Sequence, residues 1–390
     1  MKCIQCDTDN NLKDRTANQG RCKNCNHPFA FEPTTMEPNL KMTDRFFSKA
    51  LADISASDTL YFTSNQLRYL VEKRLTHQAA MSAKAIKITC GGMLIFFGFI
   101  TAVLGIGLVA IVIGIWIIVS SLRRSAHRLP PSPKPLPSDS VFQSWMRQWE
   151  QVKLSDSVFQ SWMRRWEQVN PSPAKLLPAP AAAVTLAPVD DDVTAYSFDR
   201  VLVCDSVAIA QLLIANNIHF EHNCAVFSIT GYPRAIFATT MAMLRRNPDL
   251  QVIALHDCSP SGMAMVHELR TSPDWFLDST PVIFDLGMLP RQIAAARGQA
   301  YIQISADFAQ AARVMPPEVS QQLTATELEW LEAGYFVDLE SFTPKKLMQI
   351  VSHGIARLQN LGEDVDDNLI LVGDVGSSGG TFIYASDNFG

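Results

Sequence analysis

At 390 residues the chain is too long for one ordinary domain, and its 47% hydrophobic and 18% charged residues suit two or three folded units with a membrane segment. The net charge of -5 is unevenly spread: residues 1–190 hold 22 Lys and Arg against 14 Asp and Glu, while residues 191–390 hold 11 against 24. That acidic second half excludes a general polyanion binder, whose phosphate contacts need Lys and Arg, and the basic first half contains the longest apolar run, as in a protein lying near anionic lipid.

The chain starts with two cysteine pairs, Cys3-Ile-Gln-Cys6 and Cys22-Lys-Asn-Cys25, separated by fifteen residues. Each pair sits on a tight turn that aims two thiolates at one centre, and four thiolates form the closed tetrahedral shell of structural zinc. Asn10, Asn11, Asn18 and Gly20 supply turns between the knuckles, and Phe29 and Phe31 alternate beyond the second, as on a short strand covering the metal. Residues 1–33 are therefore expected to form a zinc ribbon with Cys3, Cys6, Cys22 and Cys25 as ligands. No cleavable signal peptide is expected ahead of it. The ribbon is therefore expected in a reducing cytoplasm, where paired cysteines read as metal ligands rather than disulfides; the other cysteines, Cys90, Cys204, Cys224 and Cys258, show no pairing pattern.

Residues 42–85 read as a helical segment, with Phe46, Phe47, Leu51 and Ile54, then Leu67, Leu70 and Val71, at helical spacing. From Ile88 to Ser120 no residue is charged, a run of 33 that exceeds the ~20 residues of one span. Gly105 and Gly107 interrupt it, and basic residues flank both ends (Lys84 and Lys87; Arg123, Arg124 and Arg128). Positive charge on both sides favours both ends on the cytoplasmic face. A transmembrane hairpin over residues 86–121 fits this better than one long tilted helix, and it makes the lipid bilayer a partner and the protein integral to a membrane.

Residues 129–190 form a Pro/Ala-rich linker that holds a duplication with a period of 17: Ser138–Val152 recurs as Ser155–Val169. Val141, Phe142, Trp145, Met146, Trp149 and Val152 share one helical face in the first copy. Such a face suits a membrane interface, or else a spacer helix packed on its copy or on the hairpin.

From residue 195 to 390 strands and helices alternate, so an α/β domain with a mostly parallel sheet is expected. Buried strands are read at 201–204, 225–229, 252–255 and 282–284, with helices at 207–215, 235–246 and 261–269. Three strands end in an acid: Asp205, Asp257 (after His256) and Asp285. The carboxyl edge of such a sheet is where ligands bind. Near the end, the glycines of 373–380 lack the lysine of a phosphate loop and read as a flexible tail.

The order Asp205, Gly231-Tyr-Pro233, Asp257-Cys-Ser-Pro-Ser-Gly262, Leu286-Gly-Met-Leu-Pro290 resembles the Toprim domain of the A subunit of type IIB topoisomerases (the topoisomerase VI family). The resemblance covers about 200–300 and implies a Toprim-like fold. It also implies a Mg²⁺ site built from a Glu and an Asp-x-Asp pair. Here Asp205 replaces the Glu and Ser259 the second Asp, leaving two acids of three, with Asp285 at a neighbouring strand end to compensate. The family's catalytic Tyr lies in a Thr-x-Arg-x-x-x-Tyr setting; Thr63–Tyr69 has Asn65 where the Arg stands, so Tyr69 reads as a helix-face residue and strand passage is not expected.

The expected class is thus multidomain: small zinc ribbon, transmembrane helical hairpin, C-terminal α/β Toprim-like domain. The favoured function is a membrane-anchored binding or scaffold protein facing the cytoplasm, with zinc as structural cofactor and an unidentified protein partner. The alternative is a membrane-tethered, Mg²⁺-dependent phosphodiester enzyme (nuclease-like) with Asp205, Asp257 and Asp285 as its catalytic acids. Nucleic acid is a partner the acidic domain does not favour, although Lys2, Lys13, Arg15, Arg21 and Lys23 give the ribbon a mild basic character.

Overall fold

The computed structural model describes residues 1–37, 40–76, 154–180, 198, 200–246, 251–277, 281–295 and 301–360, together with a few single positions between them. Arg200–Cys204 (β1), Cys224–Ser228 (β2), Gln251–Leu255 (β3) and Ile283–Asp285 (β4) form one parallel sheet in the order β2-β1-β3-β4. Strands buried on both faces read as continuous apolar runs, and these do. Leu202, Cys204, Val226, Ile253 and Leu255 face a core shared with the Val207–Ala215 helix and the C-terminal helices. Their alternates Val201, Val203, Ala225, Phe227, Val252 and Ala254 face Met241, Leu244, Met265, Leu269 and Trp275. The expected parallel sheet is present, with each strand leading into a helix.

Local capping sets the helix starts. Ser206 accepts from the Ile209 amide, and Ser259 from that of Gly262, with Pro260 as the first helical residue. Thr324 and Glu327 form a reciprocal capping box on the Ala325–Glu332 helix. Two short strands, Gln303–Ile304 (β5) and Tyr335–Phe336 (β6), pair antiparallel beside the main sheet.

The N-terminal half is a second packed unit. Helices Asp44–Ile54 and 64–76 enclose a core of Phe31, Met42, Phe47, Ile54, Leu67, Val71 and Leu75. The second copy of the repeat completes this core: its helix, Asp156–Val169, buries Phe159, Trp162, Met163 and Trp166 there. Its apolar face thus meets protein. Phe31 lies 5.2 Å from Phe47 and 6.3 Å from both Trp162 and Trp166, ring centre to ring centre.

The two units touch through polar contacts. The Tyr61 amide donates to Asn216 Oδ1 (2.9 Å), and Asn216 Nδ2 donates back to the Tyr61 carbonyl (3.0 Å). Thr63 Oγ1 and Asn65 Nδ2 donate to the two carboxylate oxygens of Glu340 (2.6 and 2.9 Å), and Gln66 Nε2 donates to the Phe342 carbonyl (2.9 Å).

One expectation is corrected. Among the described residues no helix is long and apolar enough to cross a membrane. The Pro344–Asn360 helix has 17 residues and carries Lys345, Lys346 and Arg357, whereas a span needs ~20 apolar residues in one helix. The transmembrane hairpin and the integral-membrane location are not supported. Apart from Thr89, Met93, Ile113 and Trp116, residues 86–121 lie outside the described residues, as do the first repeat copy and the glycines of 373–380.

Candidate metal centre and the acidic edge of the sheet

The cysteine pairs sit on two similar knuckles. In the first, the Cys3 amide donates to the Thr8 carbonyl (3.0 Å) and the Asp7 amide to the Cys3 carbonyl (2.9 Å). In the second, the Cys22 amide donates to the His27 carbonyl (2.9 Å) and the Asn26 amide to the Cys22 carbonyl (3.0 Å). Asp7 and Asn26 take positive φ (55° and 62°) to close the turns; Asp and Asn tolerate that region better than other side chains with a Cβ. The four sulfurs lie within 4.8 Å of one another, with Cys3 to Cys25 and Cys6 to Cys22 both 3.6 Å. Four thiolates on a tetrahedral zinc at about 2.3 Å stand roughly 3.8 Å apart, so the spacing matches that group.

Four sulfurs this close cannot share ionisation evenly without a cation among them. Hydrogen bonding with the Thr8 side chain draws the Cys6 thiol down to about 6. At Cys25 a hydrogen bond from the His27 backbone works downward, but burial and the neighbouring sulfurs outweigh it and push the thiol up to about 12.

A buried shell holds the knuckles. Asn10 donates from Nδ2 to Cys22 Sγ (3.4 Å) and the Thr8 carbonyl (2.9 Å), and its Oδ1 accepts from the Lys23 amide (2.9 Å). Arg15 donates to the Asn10 carbonyl (2.8 Å) and grips both oxygens of Glu32 (2.8 and 3.0 Å). That guanidinium holds Glu32 down at about 2. Asp44 then ties the ribbon to the helices: its two oxygens accept from the Ala30 and Phe31 amides, both at 2.9 Å.

At the sheet edge, Asp205 and Asp257 follow the adjacent strands β1 and β3. Asp205 Oδ2 accepts from the Asp257 amide (2.6 Å), and Asp257 Oδ1 accepts from Ser259 Oγ (2.6 Å). Ser259 thus binds one carboxylate and caps the next helix. Burial raises both acids above their ordinary value, Asp205 well above it with the charge of Asp257 adding to the effect.

Asp285 serves a different partner. Its Oδ1 lies 3.0 Å from His256 Nε2 and accepts from the Gly287 amide at 2.8 Å. His256 is 1% exposed, and its Nδ1 contacts the Asp257 carbonyl at 2.7 Å. Burial works against the imidazolium, but Asp285 overcomes it and lifts His256 to about 9. Burial likewise works against the Asp285 carboxylate, and His256 overcomes it to hold that acid below its ordinary value. The two form an ion pair in which His256 is buried and Asp285 is partly exposed. Gly287 makes room for it: a Cβ there would overlap the His256 ring at Nε2. Gly287→Ala is expected to displace the ring, break the pair and cost about 1–3 kcal/mol in urea denaturation.

Among the described residues, the cysteines are the one group of three or more His, Cys, Asp or Glu side chains gathered as a metal would need; Asp205, Asp257 and Asp285 form no such group.

The fold adds groups to this edge that sequence reasoning did not single out. The loop after β3 pairs with Val337 through Cys258 (amide to carbonyl, 3.0 and 3.3 Å), which carries Asp338 alongside. Tyr69, buried on helix 64–76, donates its hydroxyl to Asp338 Oδ2 (3.3 Å) and receives Gln303 Nε2 (3.0 Å). Burial, then the nearby charges of Glu340 and Asp257, push Asp338 up to about 7. Burial and Asp338 push the Tyr69 hydroxyl up, so it stays protonated. No local pattern marks Asp338; only long-range pairing brings it here.

A carboxyl whose folded value rises from 3.8 to about 7 holds its proton more tightly folded than unfolded. Its contribution is complete below about pH 4 and is lost as pH rises through about 7, up to about 4 kcal/mol. Asp338→Asn should flatten that loss. Urea midpoints between pH 5 and pH 8 should fall in the wild type and fall by less in the variant, where His256 and Asp205, whose folded values are also raised, account for the remaining fall.

No protein-family model matches the chain, and no curated protein matches it.

Proposed function

We propose that the chain is a binding or scaffold protein in which a structural zinc ribbon is stapled onto a helical unit, and that unit onto a degenerate Toprim-like domain. The carrying observation is the contrast between the two candidate centres. Four cysteine sulfurs converge at the spacing of a tetrahedral zinc shell, with no position left for a substrate. At the sheet edge the carboxylates are committed inward: Asp205 to the Asp257 amide, Asp257 to Ser259, Asp285 to His256. The Toprim-like reading is supported by motif placement. Gly231-Tyr-Pro233 follows β2, the Asp257–Gly262 turn follows β3, and Leu286–Pro290 follows β4. Acidic residues outnumber basic ones 24 to 11 over 191–390, which favours a protein partner over nucleic acid.

A second reading rests on one observation. Asp338 and the Tyr69 hydroxyl stand at the edge that carries Asp205 and Asp257; these acids are not gathered as a metal would need, so metal-assisted phosphodiester chemistry here requires the cation itself to draw them together. Metal analysis and calorimetry of the full chain separate the readings. The scaffold reading expects one zinc per chain, no saturable Mg²⁺ or Mn²⁺ binding, and no change on Asp257→Ala. Saturable binding that disappears in Asp257→Ala overturns it in favour of the enzyme.

A further inference from the structure

The second repeat copy sits in a groove walled by Phe31, Met42, Phe47 and Val71, which buries Phe159, Trp162, Met163 and Trp166. Two polar contacts fix its register: Arg68 Nε lies 3.4 Å from Asp156 Oδ1, and Gln160 Nε2 donates to Ser64 Oγ at 3.3 Å. Ser155 caps the helix.

Each of these helix residues has an identical counterpart 17 positions earlier: Phe142, Trp145, Met146, Trp149, Asp139, Gln143 and Ser138. Over Ser138–Val152 and Ser155–Val169 the copies differ only where Gln148 becomes Arg165, and Arg165 is exposed. The groove therefore has no contact within the helix by which to tell the copies apart.

We propose that this groove is a docking site for both copies, so that residues 138–152 of the same chain are its second ligand and replace 155–169 by exchange. The occupant comes from the same chain because of connectivity. The segments leading from helix 64–76 to the two copies differ by only 17 residues, and closure entropy grows with the logarithm of loop length. A tethered helix also acts at a high effective concentration that a second chain in dilute solution does not reach.

What favours the second copy lies outside the repeat. Leu154, just ahead of it, is buried, and its counterpart is Pro137. Beyond it, the Phe62 amide donates to the Lys175 carbonyl (3.0 Å) and the Leu177 amide to the Phe62 carbonyl (2.9 Å). Phe62 stands between Tyr61 and Thr63, which carry contacts to Asn216 and Glu340 of the α/β unit. Exchange releases 175–177 from that junction, so groove occupancy is coupled to the joint between the two units.

The test places a photo-cross-linking residue at Ser64 of the full chain and identifies the captured peptide by mass; Gln148 and Arg165 distinguish the copies. The wild type should capture the Arg165 peptide. Trp162→Asp with Trp166→Asp should capture the Gln148 peptide within a single chain. Amide protection in helices Asp44–Ile54 and 64–76 should then stay within about tenfold of the wild type. Adding Trp145→Asp and Trp149→Asp should remove that protection, by about a hundredfold or more. The milder Leu154→Ala, which leaves the sequence of both copies unchanged, should shift capture toward the Gln148 peptide. The proposal is overturned if the second-copy variant exchanges as fast as the four-substitution variant, if capture joins two chains, or if Leu154→Ala captures only the Arg165 peptide.

Discussion

Cys22→Ser is expected to abolish zinc binding and unfold residues 1–33. Structural zinc supplies roughly 10–16 kcal/mol of apparent binding energy to small ribbons of this type, and this ribbon has little else. Its interior is the four sulfurs, Asn10 and the Arg15–Glu32 pair, and its main apolar side chain, Phe31, belongs to the neighbouring core. The damage should therefore spread. Once the ribbon melts, the Ala30 and Phe31 amides leave Asp44, and that carboxylate remains in a site where burial already raises its proton affinity. Metal content by elemental analysis should fall from one zinc per chain to none, and hydrogen exchange should speed up across 1–33 and at the start of helix Asp44–Ile54. The interior of the β2-β1-β3-β4 sheet should be unaffected, because its two cores contain no ribbon residue. Loss of protection there, or retention of zinc, would contradict the staple.

Phe47→Ala should be the most damaging single change in the helical unit. Phe47 is fully buried, with its ring 5.2 Å from Phe31 and 5.1 Å from Trp166. Deleting a buried phenyl ring typically costs about 3–5 kcal/mol through lost transfer energy and the cavity left behind. Phe47 touches the ribbon's Phe31 and the repeat's Trp166 at once, so the cavity opens where three segments meet. Chemical denaturation should show a lower midpoint for the N-terminal unit, and chelator should extract zinc faster than from the wild type. A substitution at Trp166 is a weaker test, because the other repeat copy carries the same side chain at Trp149. A cost below about 1 kcal/mol at Phe47 would mean that the aromatic cluster does not hold the unit together.

Local chemistry made much of this legible in the sequence. Two C-x-x-C pairs need only their own turns to aim sulfurs at one point, and the structure gathers those four. The strands of the α/β unit were legible because a sheet covered on both faces requires unbroken apolar runs, each closed by an acid or a turn. Ser206, Ser259 and Thr324 begin helices through contacts three residues away. Hydropathy was less reliable. It measures missing charge, whereas a span requires one helix of sufficient length, and among the described residues there is none.

Everything dependent on distant partners was decided by the tertiary structure. The repeat's apolar face is plain in sequence, but an amphipathic helix does not name its partner, and the partner is a groove built from Phe31, Phe47 and Val71. Asp285 looked like a third member of an acidic site until the ring of His256 took its oxygen, an arrangement that exists because Gly287 lacks a side chain. Tyr69 read as a helix-face residue, and packing between the units buried it against Asp338. The cysteine spacing determined a metal-sized cluster because its geometry is local. The fate of each carboxylate was left to the fold, because burial and neighbouring charge, rather than residue type, set what a carboxylate can do.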